Sequence, residues 1–464
     1  AKNQYAQDNV AYADVAFSLG KIFHRATAYQ KAKKHYWEAL MIRRKELGDK
    51  HPKYEQSIQQ LGVFFEELGN YQIAERIYMA DLSLNKTIFG RKSGEYASSL
   101  NELGNVYTNK SDFPTADLFY QNADSTYKQS TGDRTIEYAE TLTDRGYWFY
   151  QMGEYTVAEN NYRKAIQLFK DNELEQNVKY ARTLSHLALL NLELNNHSQA
   201  YQRLAIAKEI YSKHYSKNHP THAQNLFREA QIHLLIDEVE QAEKKLIQAQ
   251  KIYKEHLSST HPDFLLISGE LANLYRRKKD FPKSEELYLS VMDTFRLTLG
   301  ENHIQYAMLE ADLAQLYYDM GSYEDAIAYH QRSLDLRKLI LHASHPHYFE
   351  SISDLSQLYW ASKRKGKAER FLKKTAKNYE QQTKTYFTFL NEKEKGFYFK
   401  NIRNFYEKFN AFAIQRYKKK PRLLGNMYNY ALTNKALLFS SNQEIKEHIF
   451  ALNEDGEGDS LLIN

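Results

Sequence analysis

The chain has 464 residues, of which 42% are hydrophobic and 26% are charged, and its formal net charge is +5. Because the charges are mixed along the chain, they make no case for a nucleic-acid partner, and the absence of cysteine excludes disulfides, thiolate metal sites and a cysteine nucleophile. No segment approaches the roughly 18 consecutive apolar residues of a membrane span, and few prolines and glycines interrupt the sequence, so we expect a predominantly helical protein.

A period of 42 residues organises the chain almost from its start. An alanine, replaced once by serine, marks the period at Ala32, Ala74, Ala116, Ala158, Ala200, Ala242, Ser284, Ala326 and Ala368. A second column carries a small residue, usually after leucine, at Gly20, Gly62, Gly104, Gly146, Ala188, Ala230, Ala272, Ala314 and Ser356. The period predicts a lead-in over residues 1–9 and nine units over residues 10–387, which begin at residues 10, 52, 94, 136, 178, 220, 262, 304 and 346.

Each unit has the pattern of two antiparallel helices. In the third unit Leu103, Gly104 and Tyr107 share one helical face, and Ala116 and Tyr120 share another. We expect the small residues to let the helices approach closely and the aromatic residue to fill the space between units. Because one hairpin cannot bury both of its faces, each unit requires its neighbours, and the predicted fold is an all-α solenoid with a C-terminal helical extension.

These columns resemble the tetratricopeptide repeat, in which a Leu-Gly pair is followed by a tyrosine, an alanine, an aromatic residue and a further alanine. The 42-residue unit, and the His-Pro junctions at residues 51–52, 219–220, 261–262 and 345–346, resemble the kinesin-light-chain class of these repeats. The resemblance implies a right-handed superhelix whose first helices line a concave groove, and a protein or extended peptide as the partner.

Units five and six depart from the common pattern. Asn191 and His233 stand in the aromatic column, and Leu204 and Leu246 replace the tyrosine of the second helix. We hypothesise that these units form a softer joint or a locally altered groove.

After residue 387 the 42-residue register ends, and residues 388–452 are expected to form a helical connector. It is predicted to contain helices over residues 390–417 and 423–439. A capping-box-like spacing from Ser441 to Glu444 predicts a further short helix with Ile445 and Ile449, and an acidic tail follows over residues 453–464. The segments at residues 390–395, 428–429 and 434–441 resemble the connector of bacterial tetratricopeptide proteins of the CHAT type, which leads into a caspase-like domain in that family. This resemblance implies that the partner could be the chain's own C-terminal domain beyond Asn464.

The candidate groove is predicted around the Leu-Gly pair of the first helices. Amide side chains suit recognition of an extended peptide because they offer both a donor and an acceptor to its backbone, although amides are also common on a solvated face. The predicted groove residues are Asn101, Asn105, Asn109, Tyr147, Tyr150, Arg228, Gln231, Asn273, Arg276, Gln315, Tyr318 and Gln357.

Histidines recur at one position of the period, at His51, His219, His261, His303 and His345. They lie one unit or more apart, so we expect them to form hydrogen bonds at helix starts and not to bind one metal ion. A denser group at residues 342, 345 and 347 lacks a supporting carboxylate pattern. The carboxylates are expected on solvated faces, and no motif predicts a cofactor, a metal or an enzyme activity.

Three functions stay open at this point. The first is a scaffold that binds proteins or peptides through its groove, and the second is the regulatory and recognition region of a CHAT protease. The third is a structural subunit of a bacterial envelope or motility assembly, held by its edges. Nothing in the sequence resembles a signal peptide, but one could already have been removed, so both a cytoplasmic and a periplasmic location stay open.

Overall fold

The computed structural model describes residues 9–130, 134–341, 345–387 and 392–432, and these residues form helices joined by short turns. The helices are α1 (Val10–Arg25), α2 (Tyr29–Leu47), α3 (Pro52–Glu67), α4 (Tyr71–Ile88), α5 (Gly94–Asn109), α6 (Phe113–Ser130), α7 (Ile136–Gln151), α8 (Tyr155–Asp171), α9 (Val178–Glu193), α10 (His197–His214), α11 (Pro220–Leu235), α12 (Val239–His256), α13 (Pro262–Arg277), α14 (Phe281–Thr298), α15 (Ile304–Asp319), α16 (Tyr323–Ile340), α17 (Pro346–Ala361), α18 (Lys365–Tyr386) and α19 (Glu392–Arg416). A further helical stretch covers residues 422–432. The odd-numbered helices from α1 to α17 are the first helices of the repeating hairpin, and the even-numbered ones from α2 to α18 are the second.

The chain divides into two compact bodies. The large body contains the described residues up to 192 and from 197 to 341, and the small body contains residues 193–196 and the described residues from 345 onward. Each body is built from the same helical hairpin.

The turn inside each hairpin has a fixed conformation. One residue per hairpin adopts a positive φ, and these residues recur every 42 positions at Thr27, Gly69, Ser111, Gly153, Asn195, Asp237, Lys279, Gly321 and Lys363. In this left-handed region glycine is the least strained residue, yet six of the nine are other residue types. The sequence period therefore repeats the backbone geometry of the turn even where the residue changes.

Glycine in the small-residue column makes room for a tyrosine of the same hairpin. A Cβ added at Gly104 would lie 2.7 Å from the ring of Tyr120, and one at Gly146 would lie 2.7 Å from the ring of Tyr162. Units five and six replace this pair by an alanine and a leucine, and Leu204 is fully buried against the same column. The leucine of units five and six is thus as fully buried as the tyrosine that it replaces, and the softer joint stays a prediction.

The aromatic column connects neighbouring units, as expected. Tyr107 of α5 stacks on Phe119 of its own hairpin with ring centroids 5.4 Å apart. Its hydroxyl donates a 2.7 Å hydrogen bond to Glu75 on the second helix of the preceding unit. The aromatic side chain therefore both packs within a hairpin and bridges to the one before it.

Several carboxylates are buried, which corrects the expectation that they all lie on solvated faces. Asp81 is completely buried and accepts a 2.7 Å hydrogen bond from Ser99, which also accepts one of 2.8 Å from Asn85. Burial raises the pKa of Asp81 to about 8. In unit six Glu229 is buried at a position where most other units carry leucine, and Lys208 and Lys245 pair with it. Polar clusters between hairpins explain why the sequence tolerates these charges.

The recurring histidines begin first helices, which confirms the expected local hydrogen bond. The Nδ1 atom accepts from the backbone N–H two residues later at 3.1 Å for His51, His261 and His303, and His219 and His345 cap their helices in the same way. An N-cap side chain accepts a hydrogen bond from a backbone N–H that has no partner within the helix. Each of these histidines is therefore the N-cap, the residue directly before the first residue of its helix.

Two of these histidines also connect distant units of the large body. The Nε2 atom of His261 lies 3.1 Å from the backbone oxygen of Glu67, and that of His303 lies 3.0 Å from the backbone oxygen of Asn109. A Cβ added at Gly69 would lie 2.5 Å from Pro262, so the two segments are in close contact. Successive turns of the solenoid therefore touch within the large body.

In the small body the long helix predicted after the repeats is present as α19. Phe412 packs edge-on against Trp360 of α17 with ring centroids 5.4 Å apart, and Phe405 lies 5.1 Å from the ring of Tyr379 in α18. This helix covers the exposed side of the last hairpin. The segment at residues 434–441, the predicted helix after Ser441 and the acidic tail lie outside the described residues.

Candidate binding surface on the first helices

A polar network joins the first helices of units three, four and five. Asn101 and Asn105 of α5 both donate to one carboxylate oxygen of Asp144 on α7, at 2.8 and 2.9 Å. Arg182 of α9 pairs with the other oxygen at 2.8 Å. Two of the predicted groove amides are thus brought together, and both are already engaged by a carboxylate that the sequence interpretation overlooked.

Tyrosine hydroxyls and a second carboxylate extend this network. Tyr120 donates a 2.7 Å hydrogen bond to the amide oxygen of Asn105. Asn109 and Tyr78 donate to the two oxygens of Glu66 at 3.2 and 3.0 Å. Burial, together with a nearby carboxylate, raises the pKa of Glu66 well above its ordinary value.

Glu102 contributes a further acidic group to the same surface. Burial is the main cause that raises its pKa to about 7, and the negative charge of Asp144 adds to it. The side of the surface formed by units two to four is therefore rich in carboxylates.

The surface changes character at units four to six, where aromatic and cationic side chains meet. The ring of His186 on α9 lies 4.7 Å from that of Tyr147, and it stacks on Tyr162 at 6.2 Å. Tyr150 stacks beside Tyr147 with centroids 6.1 Å apart. Burial, and then the positive charge of Arg228, lowers the pKa of His186 well below its ordinary value, so this histidine is neutral near pH 7.

Three polar groups in this region have unused hydrogen-bonding capacity. The guanidinium of Arg228 on α11 forms no hydrogen bond or ion pair with any other residue in the part of the chain that the structure describes. The hydroxyl of the fully buried Tyr162 likewise has no partner among the described residues. Gln231, one turn after Arg228 on the same helix, is half-buried and also makes no side-chain hydrogen bond within the described ranges.

Asp263 of α13 acts electrostatically on tyrosines of two earlier units. Burial is the main cause that raises the pKa of Tyr71 and of Tyr147, and the negative charge of Asp263 adds to it in both. Asp263 itself accepts hydrogen bonds from Tyr253 at 2.6 Å and from Gln224 at 2.9 Å.

A second polar cluster follows on α13 and α15. Asn273 donates a 3.1 Å hydrogen bond to Glu270 and accepts one of 2.9 Å from Arg276. Arg276 also pairs with Asp319, whose other oxygen accepts a 2.9 Å hydrogen bond from Gln315. Tyr318 lies near the ring of Tyr323 at 5.8 Å. These four predicted residues lie together, and the first three are engaged by one another and by carboxylates.

Gln357 is the predicted groove residue that lies in the small body. Its amide oxygen accepts a 2.8 Å hydrogen bond from Lys408 of α19. The remaining eleven predicted residues lie in the large body, so Gln357 is described apart from them.

Of the ionisable column two residues before the small residue, the predicted groove set contains Arg228 alone. In units three to seven it reads Glu102, Asp144, His186, Arg228 and Glu270. The 42-residue spacing was the available signal, because a charged residue that recurs beside the predicted groove residues shares their helix face.

Part of the chain is similar to a known family of repeats. Residues 263–338 and 307–381 match the family model described as tetratricopeptide repeat. Residues 263–381 therefore carry tetratricopeptide repeats. No curated protein matches it in a sequence search. Among the described residues, no helix is long and apolar enough to cross a membrane, and no three histidine, aspartate or glutamate side chains are grouped to hold a metal ion.

One of the matching solved structures has a similar fold over most of the chain. A Rap protein complexed with competence and sporulation factor matches with a TM-score of 0.52 at 14% identity, over 88% of this chain and 100% of that one. A putative kinesin light chain from Podosopora anserina matches at 22% identity over 43% of this chain and 95% of that one, with a TM-score of 0.34. Aspartyl phosphate phosphatase F from Bacillus subtilis matches at 15% identity over 79% and 93% of the two chains, with a TM-score of 0.43.

Proposed function

We propose that the first-helix surface of the large body binds an extended segment of a partner protein and that Arg228 anchors an acidic side chain of that segment. The observation that carries the proposal is the guanidinium of Arg228, which has no partner among the described residues and whose positive charge acts on Tyr147 and on the neutral His186. Arg182 and Arg276 on the same surface each have a carboxylate partner. A carboxylate from a ligand would supply Arg228 with the bidentate partner that its geometry favours.

The neighbouring side chains suit a peptide around such an anchor. Gln231 offers a donor and an acceptor one turn away, and Tyr147 and Tyr150 offer flat apolar surface with hydroxyls. The Rap protein of similar fold was solved with a factor bound, which supports binding by a solenoid of this length.

A peptide array tests the proposal directly. We would probe the full chain with octapeptides that contain Asp or Glu and with matched peptides in which Asn or Gln replaces the acid. We expect a subset of acidic peptides to bind and their amide counterparts to bind about ten- to a hundredfold less tightly, because a hydrogen bond to a charged group contributes about 1.5–3 kcal/mol.

Paired variants assign the effect to the site. Arg228→Gln should abolish the preference for acid over amide. Arg163→Gln is the matched control, because Arg163 is a largely exposed residue of second helix α8 that pairs with Glu159. Equal binding of acid and amide peptides would exclude Arg228 as the anchor, and an array without any bound peptide would contradict groove binding itself.

We further propose, on the connector resemblance alone, that the chain is the recognition region of a larger CHAT-type protease. Of the resembling segments, Tyr428-Asn429 lies in the helical stretch over residues 422–432. Sequencing the natural gene beyond the codon for Asn464 tests this proposal. A stop codon there would exclude it.

A further inference from the structure

Two glutamates on the candidate binding surface have only neutral hydrogen-bond partners. Glu66 accepts from Tyr78 and Asn109, and Glu102 accepts from Asn105 at 3.4 Å. Neither glutamate forms an ion pair in the part of the chain that the structure describes. Both are half-buried, so a ligand on this surface can reach them.

The charge of these two glutamates is not balanced by their surroundings. Burial is the main cause that raises the pKa of both, and the next is the charge of Glu102 for Glu66 and that of Asp144 for Glu102. The charge of Arg182 lowers both pKa values and that of Lys179 lowers the pKa of Glu102, but each of these cations is paired with another carboxylate. When the two glutamates are ionised, this part of the surface therefore has an uncompensated negative charge.

A buried amide in the same network lacks a hydrogen-bond donor. Asn101 is only 4% exposed, and its Nδ2 atom donates to Asp144. Its Oδ1 atom has no partner among the described residues. Because a buried amide oxygen without a donor costs free energy, the network is short of donors as well as of positive charge. An ammonium or guanidinium group from a ligand would supply both.

Glu102 and Arg228 occupy the same column of the period and lie three units apart. Between them in this column Asp144 is paired with Arg182, and His186 is neutral near pH 7. Since neighbouring packed helices lie about 8–10 Å apart, three steps separate Glu102 from Arg228 by about 24–30 Å. The two cannot pair with each other, and one ligand that reaches both must itself carry two opposite charges.

We propose that the segment bound on this surface carries a basic residue about six to nine positions from the acidic residue that Arg228 anchors, and that its cation lies beside Glu66 and Glu102. An extended chain advances by at most about 3.3–3.6 Å per residue, so about 24–30 Å corresponds to about seven to nine residues, and a long lysine or arginine side chain shortens this requirement. The second contact presupposes the function proposed above, because the same ligand makes both contacts.

Peptides with a movable lysine test the separation. An acidic peptide that binds in the array, and whose other residues are neutral, would be extended by neutral residues at both ends. A lysine is then placed one to ten positions from the acid on either side, and norleucine replaces it in each matched peptide. We expect lysine to bind about ten- to a hundredfold more tightly than norleucine at separations of about six to nine, with little difference at one to three. Fluorescence anisotropy with the full chain measures the affinities.

Paired substitutions assign this gain to the two glutamates. Glu66→Gln with Glu102→Gln should abolish the preference for lysine over norleucine but retain the preference for acid over amide, which depends on Arg228. The retained preference also shows that the variant is folded. Glu209→Gln with Glu255→Gln is the matched control and should retain both preferences, because these exposed carboxylates of second helices pair with lysines.

The possible outcomes separate this proposal from the one on which it rests. Lysine and norleucine peptides that bind equally would overturn the basic contact, because the two glutamates would then hold protons and not a cation, and the anchor at Arg228 would stand. A gain that is equal at every separation, or that survives the two glutamines, would also overturn the basic contact. An array without any bound acidic peptide would overturn both proposals together.

Discussion

His303 and Asn109 are 194 residues apart, yet the Nε2 atom of His303 lies 3.0 Å from the backbone oxygen of Asn109. His261 and Glu67 repeat this contact at the same separation. In both rings Nδ1 accepts from the backbone N–H at a helix start, so Nε2 carries the proton and donates to the distant carbonyl. One neutral imidazole therefore caps the N-terminus of a helix and also forms a hydrogen bond with the hairpin five units earlier.

Replacing His303 by Asn should keep the helix cap and remove the contact with Asn109. Asparagine is a good N-cap but cannot reach Asn109, so we expect His303→Asn to reduce the free energy of unfolding by about 1–2 kcal/mol. His51→Asn is the control, because the His51 ring caps α3 without a partner on another turn in the described structure. Urea denaturation measures both variants, and an equal loss in the two would show that the contact with Asn109 contributes nothing.

Neutralising Glu102 should make stability less dependent on pH. Its folded pKa of about 7 lies above its ordinary value of 4.5, so the folded state binds the proton first and is relatively more stable below pH 4.5 than above pH 7. Glu102→Gln should therefore raise the free energy of unfolding by up to roughly 3 kcal/mol at pH 8 and by little at pH 4.

Glu209→Gln provides the comparison for that pH profile. Glu209 is an exposed carboxylate of α10 that pairs with Lys213. Its replacement should leave the difference between pH 4 and pH 8 as it is in the parent chain. A Glu102→Gln profile that runs parallel to the parent profile would contradict the raised pKa.

The period determined much of this fold in advance, because every first helix begins in the same register. It could not reveal the contact between His303 and Asn109, since that depends on how much each hairpin rotates relative to the last. The groove residues show the same limit. Asn105 was placed on the correct helix, but its bonds to Asp144 and Tyr120 arise only when neighbouring hairpins pack. A carboxylate in an amphipathic helix looks alike in sequence whether a neighbouring unit covers it or water does.

His219 should weaken the fold as the pH falls. Burial is the main cause that lowers its pKa from 6.5 to about 4. The charge of Glu67 raises this pKa, whereas His222, His24 and His256 lower it further. Because the unfolded chain then binds the proton more readily, His219 should reduce the free energy of unfolding by up to roughly 3 kcal/mol between pH 6.5 and pH 4.

His219→Asn retains a capping side chain without this titration. At pH 7 we expect this variant to have a lower free energy of unfolding than the parent chain. This difference should become smaller as the pH falls towards 4. Thermal unfolding across that range measures the difference, and a deficit that stays constant with pH would rule out the titration of His219 as its cause.

Gly146 and Tyr162 should behave as a coupled pair. Gly146→Ala places a Cβ 2.7 Å from the Tyr162 ring, and we expect a loss of about 1–3 kcal/mol from overpacking. Tyr162→Leu alone should leave a cavity, whereas the double variant reproduces the Ala188 and Leu204 pair of unit five and should recover part of both losses. A double-mutant cycle with additive changes would show that the two positions do not constrain each other.

Substitutions of Asn105 and of Gln231 should differ in their effects on stability and on binding, although both residues occupy the same column of the period. Asn105 donates to Asp144 and accepts from Tyr120, so Asn105→Ala leaves buried polar groups without partners and should reduce the free energy of unfolding by about 1–3 kcal/mol. Gln231 is half-buried and bonds to no other described side chain, so Gln231→Ala should change stability by less than about 0.5 kcal/mol. If the surface binds peptides as proposed, Gln231→Ala should still reduce the affinity for peptides severalfold. The reason is that the surface loses a donor and an acceptor for the peptide backbone near Arg228. Urea denaturation and fluorescence anisotropy on the same preparations measure the two effects, and a Gln231→Ala variant with unchanged affinity would place the peptide outside this part of the surface.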